Sequence, residues 1–320
     1  MSAGARFVAR RLWPVEQLWA TSDLSEGMSG ALLSGRVAGG RRRSTTRGRG
    51  SVHARLLIVL AVLGAMLVLA TPASSVQYGE PDVNNQYPYV GLMVAYDEDW
   101  NPLWRCSGSL IENDLFLTAA HCVEEPAANI AIWFDVDVDA VAGYPDPSTA
   151  DALGTPYTHP GWTGALTIPN TSDVGVVEIT RILDRKNYPT EYGQLAPVGY
   201  LDELATERGT QNVTFTVVGY GLQLVKPRQS ADRVRMIGTV HLVNLSSALT
   251  DGWNLHYSSN PGKGQGGSGG TCFGDSGGPV IHDGYIVGVN SFVLNSNCKG
   301  SAFAYRTDTT YAQDFIDLHR

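Results

Sequence analysis

A chain of 320 residues with 43% hydrophobic and 17% charged residues has the composition of an ordinary globular protein of one or two domains, and its 36 glycines favour turns over long helices. Its net charge of −8 is unevenly spread: residues 1–55 hold ten arginines and no lysine against only Glu16, Asp23 and Glu26, so the chain beyond residue 75 carries about −15. Such a surface repels nucleic acid and anionic lipid, and no nucleic-acid partner is expected.

In chain order, the arginine-rich start, with its run Arg41, Arg42 and Arg43, reads as an unfolded leader; it lacks the aromatic platform or folded basic face of a nucleic-acid-binding arm. Leu56 to Ala70, LLIVLAVLGAMLVLA, follows an arginine and precedes Thr-Pro-Ala-Ser-Ser. This apolar run falls short of the roughly 20 residues of a spanning helix and has small residues behind it, which fits a secretory signal. Residues 1–75 are therefore set apart as leader and signal segment, with secretion expected for the rest and a retained membrane anchor as the alternative.

From Gln86 onward the chain alternates short apolar runs with turn residues. The runs are YPYVGLMVAY, LWRCSGSLI, LFLTAAHC, NIAIWFDVDV, DVGVVEIT, VTFTVVGYG, RVRMIGTVHLVNL, GPVIHDGYIVGVNSF and SAFAYRT. Many short strands at this spacing predict an all-β sandwich or barrel. Only the tail, DTTYAQDFIDLHR, predicts a helix, with Asp308 as its cap and Tyr311, Phe315, Ile316 and Leu318 on one face. No repeat of 20 to 50 residues is evident.

Four cysteines behind an export signal predict disulfides, for which three pairings exist. Joining neighbours, Cys106 with Cys122 and Cys272 with Cys298, is the economical choice; each closed loop stabilises by about 3 kcal/mol on a chain-entropy estimate. No CxxC or HxxxH spacing supports zinc, and neither a metal nor a cofactor is expected.

The chemistry centres on Thr271–Val280, TCFGDSGGPV. A serine hydroxyl is a weak nucleophile and needs a base beside it and donors facing the developing oxyanion. Glycines at 274, 277 and 278 allow a tight turn in which the N–H groups of Gly274 and Ser276 point into one concavity. The stretch also fits GxSxG, the nucleophile elbow of α/β-hydrolases, where the acid and histidine follow the serine. Here Pro279 follows three residues after the serine, and the 44 residues after Ser276 contain only His282 and His319, too little chain for the rest of such a sheet. The base must lie upstream. His121, in LTAAHC at the end of an apolar strand, is the candidate; His53, His159, His241, His256, His282 and His319 are read as structural or exposed.

LTAAHC, with CSGSLI before it and GDSGGP after it, resembles the chymotrypsin-like (trypsin-fold) serine endopeptidases, and the resemblance runs from about Val76 to the C-terminus. It implies two six-stranded antiparallel β-barrels with the active site between them and a short C-terminal helix. The first barrel would span about 76–190 and the second about 191–320, joined near Ile182–Pro197. The family's third catalytic residue follows a His-Pro pair. Here His159-Pro160 precedes Asn170-Thr-Ser-Asp173, so Asp173 takes that place; Asp97, Asp99 and Asp114 lack comparable strand context for the subtilisin order.

The resemblance thus implies a triad of His121, Asp173 and Ser276, an oxyanion hole from the N–H groups of Gly274 and Ser276, and the same neighbouring disulfides. It places Gly270 at the floor of the P1 pocket and Ser291 and Val293 on its wall, with either Ala302 or Phe303 opposite, so a neutral, small or medium apolar P1 residue is expected. Protein or peptide substrates and a monomer follow; an inactive binding protein on the same fold is the alternative. Finally, the family's new N-terminal ammonium pairs with the acid before the nucleophile, here Asp275. Counting twelve back from Pro88 reaches Val76-Gln77-Tyr78-Gly79, directly after Ala73-Ser74-Ser75, so a single signal cleavage would also activate. Gln77 and Tyr78 depart from the family's pattern there, and cuts after Ala70 or Ala73 are alternatives.

Overall fold

The computed structural model of the protein describes residues 79–205, 212–223, 231–259 and 269–320. The leader, the apolar run Leu56–Ala70, His53 and Val76 lie outside these residues. A two-residue strand, β1 (Glu80–Pro81), comes first. Six more follow: β2 (Val90–Tyr96), β3 (Pro102–Glu112), β4 (Leu115–Thr118), β5 (Asn129–Trp133), β6 (Ala152–Thr158) and β7 (Gly175–Ile182).

Strands β2 to β7 close into an antiparallel barrel in the order β2-β3-β4-β7-β6-β5. β2 shows why its sequence is apolar throughout. Met93 and Ala95 pack with Leu110, Phe116, Ile132 and Val177 of the same barrel. Val90, Leu92, Val94 and Tyr96, on the other face, join a cluster with Val218, Ile286 and Tyr305 from further along the chain. With a side-chain period of two, a strand buried on both faces reads as an unbroken run.

The second barrel is built from β9 (Thr214–Gly219), β10 (Met236–Asn244), β11 (Asn254–Ser258), β12 (Pro279–His282), β13 (Tyr285–Val293) and β14 (Ser301–Arg306). Their order is β9-β10-β11-β14-β13-β12, closed by the pairing of β12 with β9. Two short strands extend it: β1 runs antiparallel to β10, and β8 (Gln194–Leu195) runs parallel to β13. Phe215, Val217, Val240, Leu255, Tyr257, Val280 and Val287 make its core. The fold is therefore the pair of six-stranded barrels that the motifs imply.

Three helices are short: α1 (Ala120–Val123), α2 (Tyr200–Ala205) and α3 (Thr310–Asp317). α3 forms where the tail predicts it, but its details differ. Thr309, not Asp308, caps it, accepting from the Ala312 N–H at 3.2 Å. The buried face is Ala312, Phe315 and Ile316, while Tyr311 is 39% and Leu318 78% exposed. Asp308 instead caps α2 through the Leu201 N–H and pairs with Arg306. The run LFLTAAHC also divides, with strand ending at Thr118 and helix starting at Ala120.

Where the barrels meet, Arg235 is fully buried. Its guanidinium donates to Asp82 at 3.0 Å, to the carbonyls of Val90 and Phe134, to the Tyr220 hydroxyl and to Asn85. One side chain thus ties the segment after β1 to β2, to the end of β5 and to the turn after β9. Burying a guanidinium is tolerable only when its donors are satisfied in this way.

Candidate active site

His121 sits on α1 directly after β4, where its own backbone N–H donates to Asp173 Oδ1 at 3.0 Å. Its ring Nδ1 lies 2.9 Å and 3.1 Å from the two Asp173 oxygens. Facing an ionised carboxylate, Nδ1 carries the proton, which leaves Nε2 as an acceptor. Burial alone would lower the His121 pKa; the Asp173 charge and hydrogen bond, helped by Glu124, outweigh it and hold the ring above its usual 6.5. The ring is 27% exposed, whereas Asp173 is completely buried. Trp162, whose indole N–H donates to Glu124 at 2.9 Å, lies 6.4 Å from the ring between centroids.

The loop that delivers Asp173 is held by the second barrel. Asn254 donates to the Pro169 carbonyl at 2.6 Å, and the Tyr305 hydroxyl donates to Asn170 at 3.2 Å. His159, in the His-Pro pair ahead of this loop, is sandwiched by Tyr311 and Phe315 of α3, consistent with a structural role. Ser291 completes the Asp173 shell, its hydroxyl donating to Oδ2 at 2.5 Å. The motifs place Ser291 only on the pocket wall; this bond spans 118 residues and has no local signal.

Ser276 lies in the loop between Cys272 and Pro279. Disulfides join Cys106 to Cys122 and Cys272 to Cys298, fastening α1 to β3 and this loop to the segment after β13. Gly274 and Gly277 adopt φ of +98° and +76°, a region that favours glycine. A Cβ on Gly277 would collide with Thr118 and come within 2.8 Å of the Ala119 nitrogen, so the loop presses against the segment that leads into His121. Within the loop, the N–H groups of Asp275, Gly277 and Gly278 bond to Cys272, Asn290 and Asp275 carbonyls. Among the described residues, those of Gly274 and Ser276 donate to no protein acceptor.

Asp275 is completely buried and accepts from the N–H groups of Gly221 at 2.8 Å and Cys272 at 2.9 Å. Burial pushes its carboxyl up to about 7, although those N–H groups and the charge of Arg105 oppose the rise. Among the described residues no basic group forms an ion pair with it.

Beside Ser276 a cleft of about 120 Å³ is bounded by Ser291, Phe292, Val293, Phe303 and Thr271, and among the described residues no charged side chain lines it. Phe303, not Ala302, lies opposite; Ala302 belongs to the second barrel's core. The Phe303 ring stacks on Phe292 at 4.5 Å and 5°, and on its other face on His256 at 4.5 Å and 13°. Gly270 does not line the cleft. It is buried against Ser259, whose Cβ lies 2.8 Å from where a Gly270 Cβ would be.

This two-barrel arrangement is shared with solved structures. HL collagenase aligns with a TM-score of 0.56 at 20% identity, over 76% of this chain and 97% of that one. Human heparin binding protein aligns with a TM-score of 0.53 at 19% identity, over 76% and 95%. Likenesses at this identity establish the fold. In sequence, brachyurin of Leptuca pugilator is 27% identical over 244 residues, 74% of this chain and 95% of its own length. The collagenase of Hypoderma lineatum is 24% identical over 270 residues, 80% and 94%. The Trypsin family profile matches residues 76–316. The chain belongs to the trypsin family of serine endopeptidases.

Proposed function

We propose that the protein is a secreted endopeptidase that forms an acyl-enzyme through Ser276, His121 and Asp173. His121 Nε2 takes the proton from Ser276 Oγ as that oxygen attacks the scissile carbonyl. It then gives the proton to the departing amine, and water repeats the cycle on the ester. Asp173, held in place by Ser291, keeps the imidazole in the required tautomer and stabilises its charged form, as in the family's Ser-His-Asp mechanism. The N–H groups of Gly274 and Ser276 receive the oxyanion. The observations that carry this reading are the His121–Asp173 pair, with its completely buried carboxylate, and the Gly274 and Ser276 N–H groups, which among the described residues donate to no protein acceptor.

The cleft beside Ser276, walled by Val293 and Phe303 and lined by no charged side chain among the described residues, supports a small neutral P1 residue. Asp275, completely buried and in no ion pair among the described residues, supports a Val76 ammonium as its partner once the signal segment is removed. Digestion of a peptide library by monomeric protein beginning at Val76, with Ser276→Ala as control, tests all three parts. Cleavage after small apolar residues, lost in the control, is expected. Persisting cleavage by Ser276→Ala would overturn the triad, and a profile dominated by Lys or Arg would overturn the pocket. Equal activity of a form extended by Ala73-Ser74-Ser75 would overturn the N-terminal switch.

A further inference from the structure

Ser107, on β3 next to Cys106, is completely buried, and each of its polar groups is engaged. Its N–H donates to the Ser276 carbonyl at 2.8 Å, and its carbonyl accepts from Thr118 Oγ1 at 2.9 Å. The hydroxyl accepts from the Tyr220 N–H at 3.0 Å and donates to the Gly274 carbonyl at 2.8 Å. One residue of the first barrel therefore grips both ends of the segment Gly274–Ser276 and bonds the turn after β9. Gly221 in that same turn donates to Asp275.

We infer that the Ser107 hydroxyl is a positioning residue for the oxyanion hole, fixing the Gly274–Asp275 peptide that joins the peptides carrying the Gly274 and Ser276 N–H groups, so that the two donors are aimed before substrate arrives. Gly274 has no Cβ to restrict it and sits at a φ of +98°. With its carbonyl tied, the Gly274–Asp275 peptide between the two donors cannot rotate, while the Phe273–Gly274 peptide that carries the Gly274 N–H is held by the Leu222 N–H on the Phe273 carbonyl at 2.9 Å. Without the tie, the Gly274 carbonyl and the Tyr220 N–H would both be buried and unbonded, and the loop would have reason to turn. Donors fixed in advance are what make such a hole effective, because no reorganisation is needed as charge develops. This inference rests on Ser276 being the nucleophile.

The test uses mature protein and three variants, Ser107→Ala, Ser107→Gly and Ser107→Thr. Turnover is measured on a peptide amide, and inhibition by a peptidyl trifluoromethyl ketone, which forms a tetrahedral oxyanion, is compared with that by the matching alcohol, which does not. Ser107→Ala is expected to lower kcat and ketone affinity about 10- to 100-fold, less than the 10²–10³ lost with a donor itself, while KM and alcohol affinity stay near wild type. Ser107→Thr, which keeps the hydroxyl, should recover most of the loss. Ser107→Gly carries the same test should Ser107→Ala fail to fold, since it admits water to the two freed groups. Active wild type with unchanged kcat in Ser107→Ala or Ser107→Gly, or equal losses of ketone and alcohol affinity, overturns this inference alone. Wild type without turnover overturns the triad with it.

Discussion

Asp82 and Asp173 are both completely buried at the junction of the barrels, and they are held by different kinds of base. Asp82 faces Arg235, a permanent cation whose three nitrogens each donate a hydrogen bond and which is sealed from solvent. Asp173 faces His121, whose ring is 27% exposed and whose charge can change. Each carboxylate accepts two or more hydrogen bonds and anchors a loop between the barrels. A guanidinium, always charged, makes the first a fixed joint; an imidazole, whose charge can change near neutrality, suits the second to the proton transfer we propose for it. Asp275 is a third case, completely buried and, among the described residues, accepting from backbone N–H groups alone, and burial raises its pKa to about 7.

The comparison breaks most sharply at the proton-transfer site. Ser276→Ala or His121→Ala should lower kcat by up to about 10⁶-fold and Asp173→Asn by about 10⁴-fold, with unfolding midpoints near wild type. Because the three act as a unit, kcat of the double variant Ser276→Ala/His121→Ala should fall little below the singles. Arg235→Met makes the opposite demand. Leaving Asp82 buried and unpaired should cost about 3–5 kcal/mol in urea unfolding, with turnover per folded molecule retained, and adding Asp82→Leu should restore much of it. A fixed joint that altered kcat as strongly as the triad would erase the distinction between the two sites.

Smaller effects sharpen the picture at the cleft. Removing the ring in Phe303→Gly should open the space against Phe292 and move P1 preference toward Leu or Phe by roughly 10- to 200-fold in kcat/KM ratio. Unchanged profiles would mean that another group sets the size limit. The smallest effect concerns Asp275. In a form extended before Val76 its carboxyl, raised to about 7 from an ordinary 3.8, binds protons more tightly in the folded than the unfolded state, so stability should decline as pH rises from about 4 to 7. In protein beginning at Val76 an ammonium partner lowers that pKa and the decline should vanish. The comparison is a set of melting temperatures across that window, and parallel curves for the two forms would contradict it.

How far the sequence exposes all this depends on distance along the chain. GDSGGP and the histidine motif are legible because a tight turn and a strand end demand contiguous residues. β6 is not legible because Gly154 and Pro156 interrupt it, nor is β11, because NLHYS is short and half polar. The choice between Ala302 and Phe303 stays open in sequence because β13 and β14 shift register between Asn290 and Phe292. Ser107 looks like any small strand residue, since its hydroxyl partners lie 113 and 167 positions away, and Arg235 meets Asp82 across 153.

The central claim, a Ser276 activated by a His121 that Asp173 holds above its usual pKa, is tested most directly by the pH dependence of fluorophosphonate labelling on mature protein. Mass spectrometry should locate a single adduct on Ser276, formed at a rate that rises with pH through one ionisation above 6.5, because the base must be neutral. Asp173→Asn should slow labelling sharply. No adduct, an adduct on another residue, or a rate independent of both pH and Asp173 would contradict it.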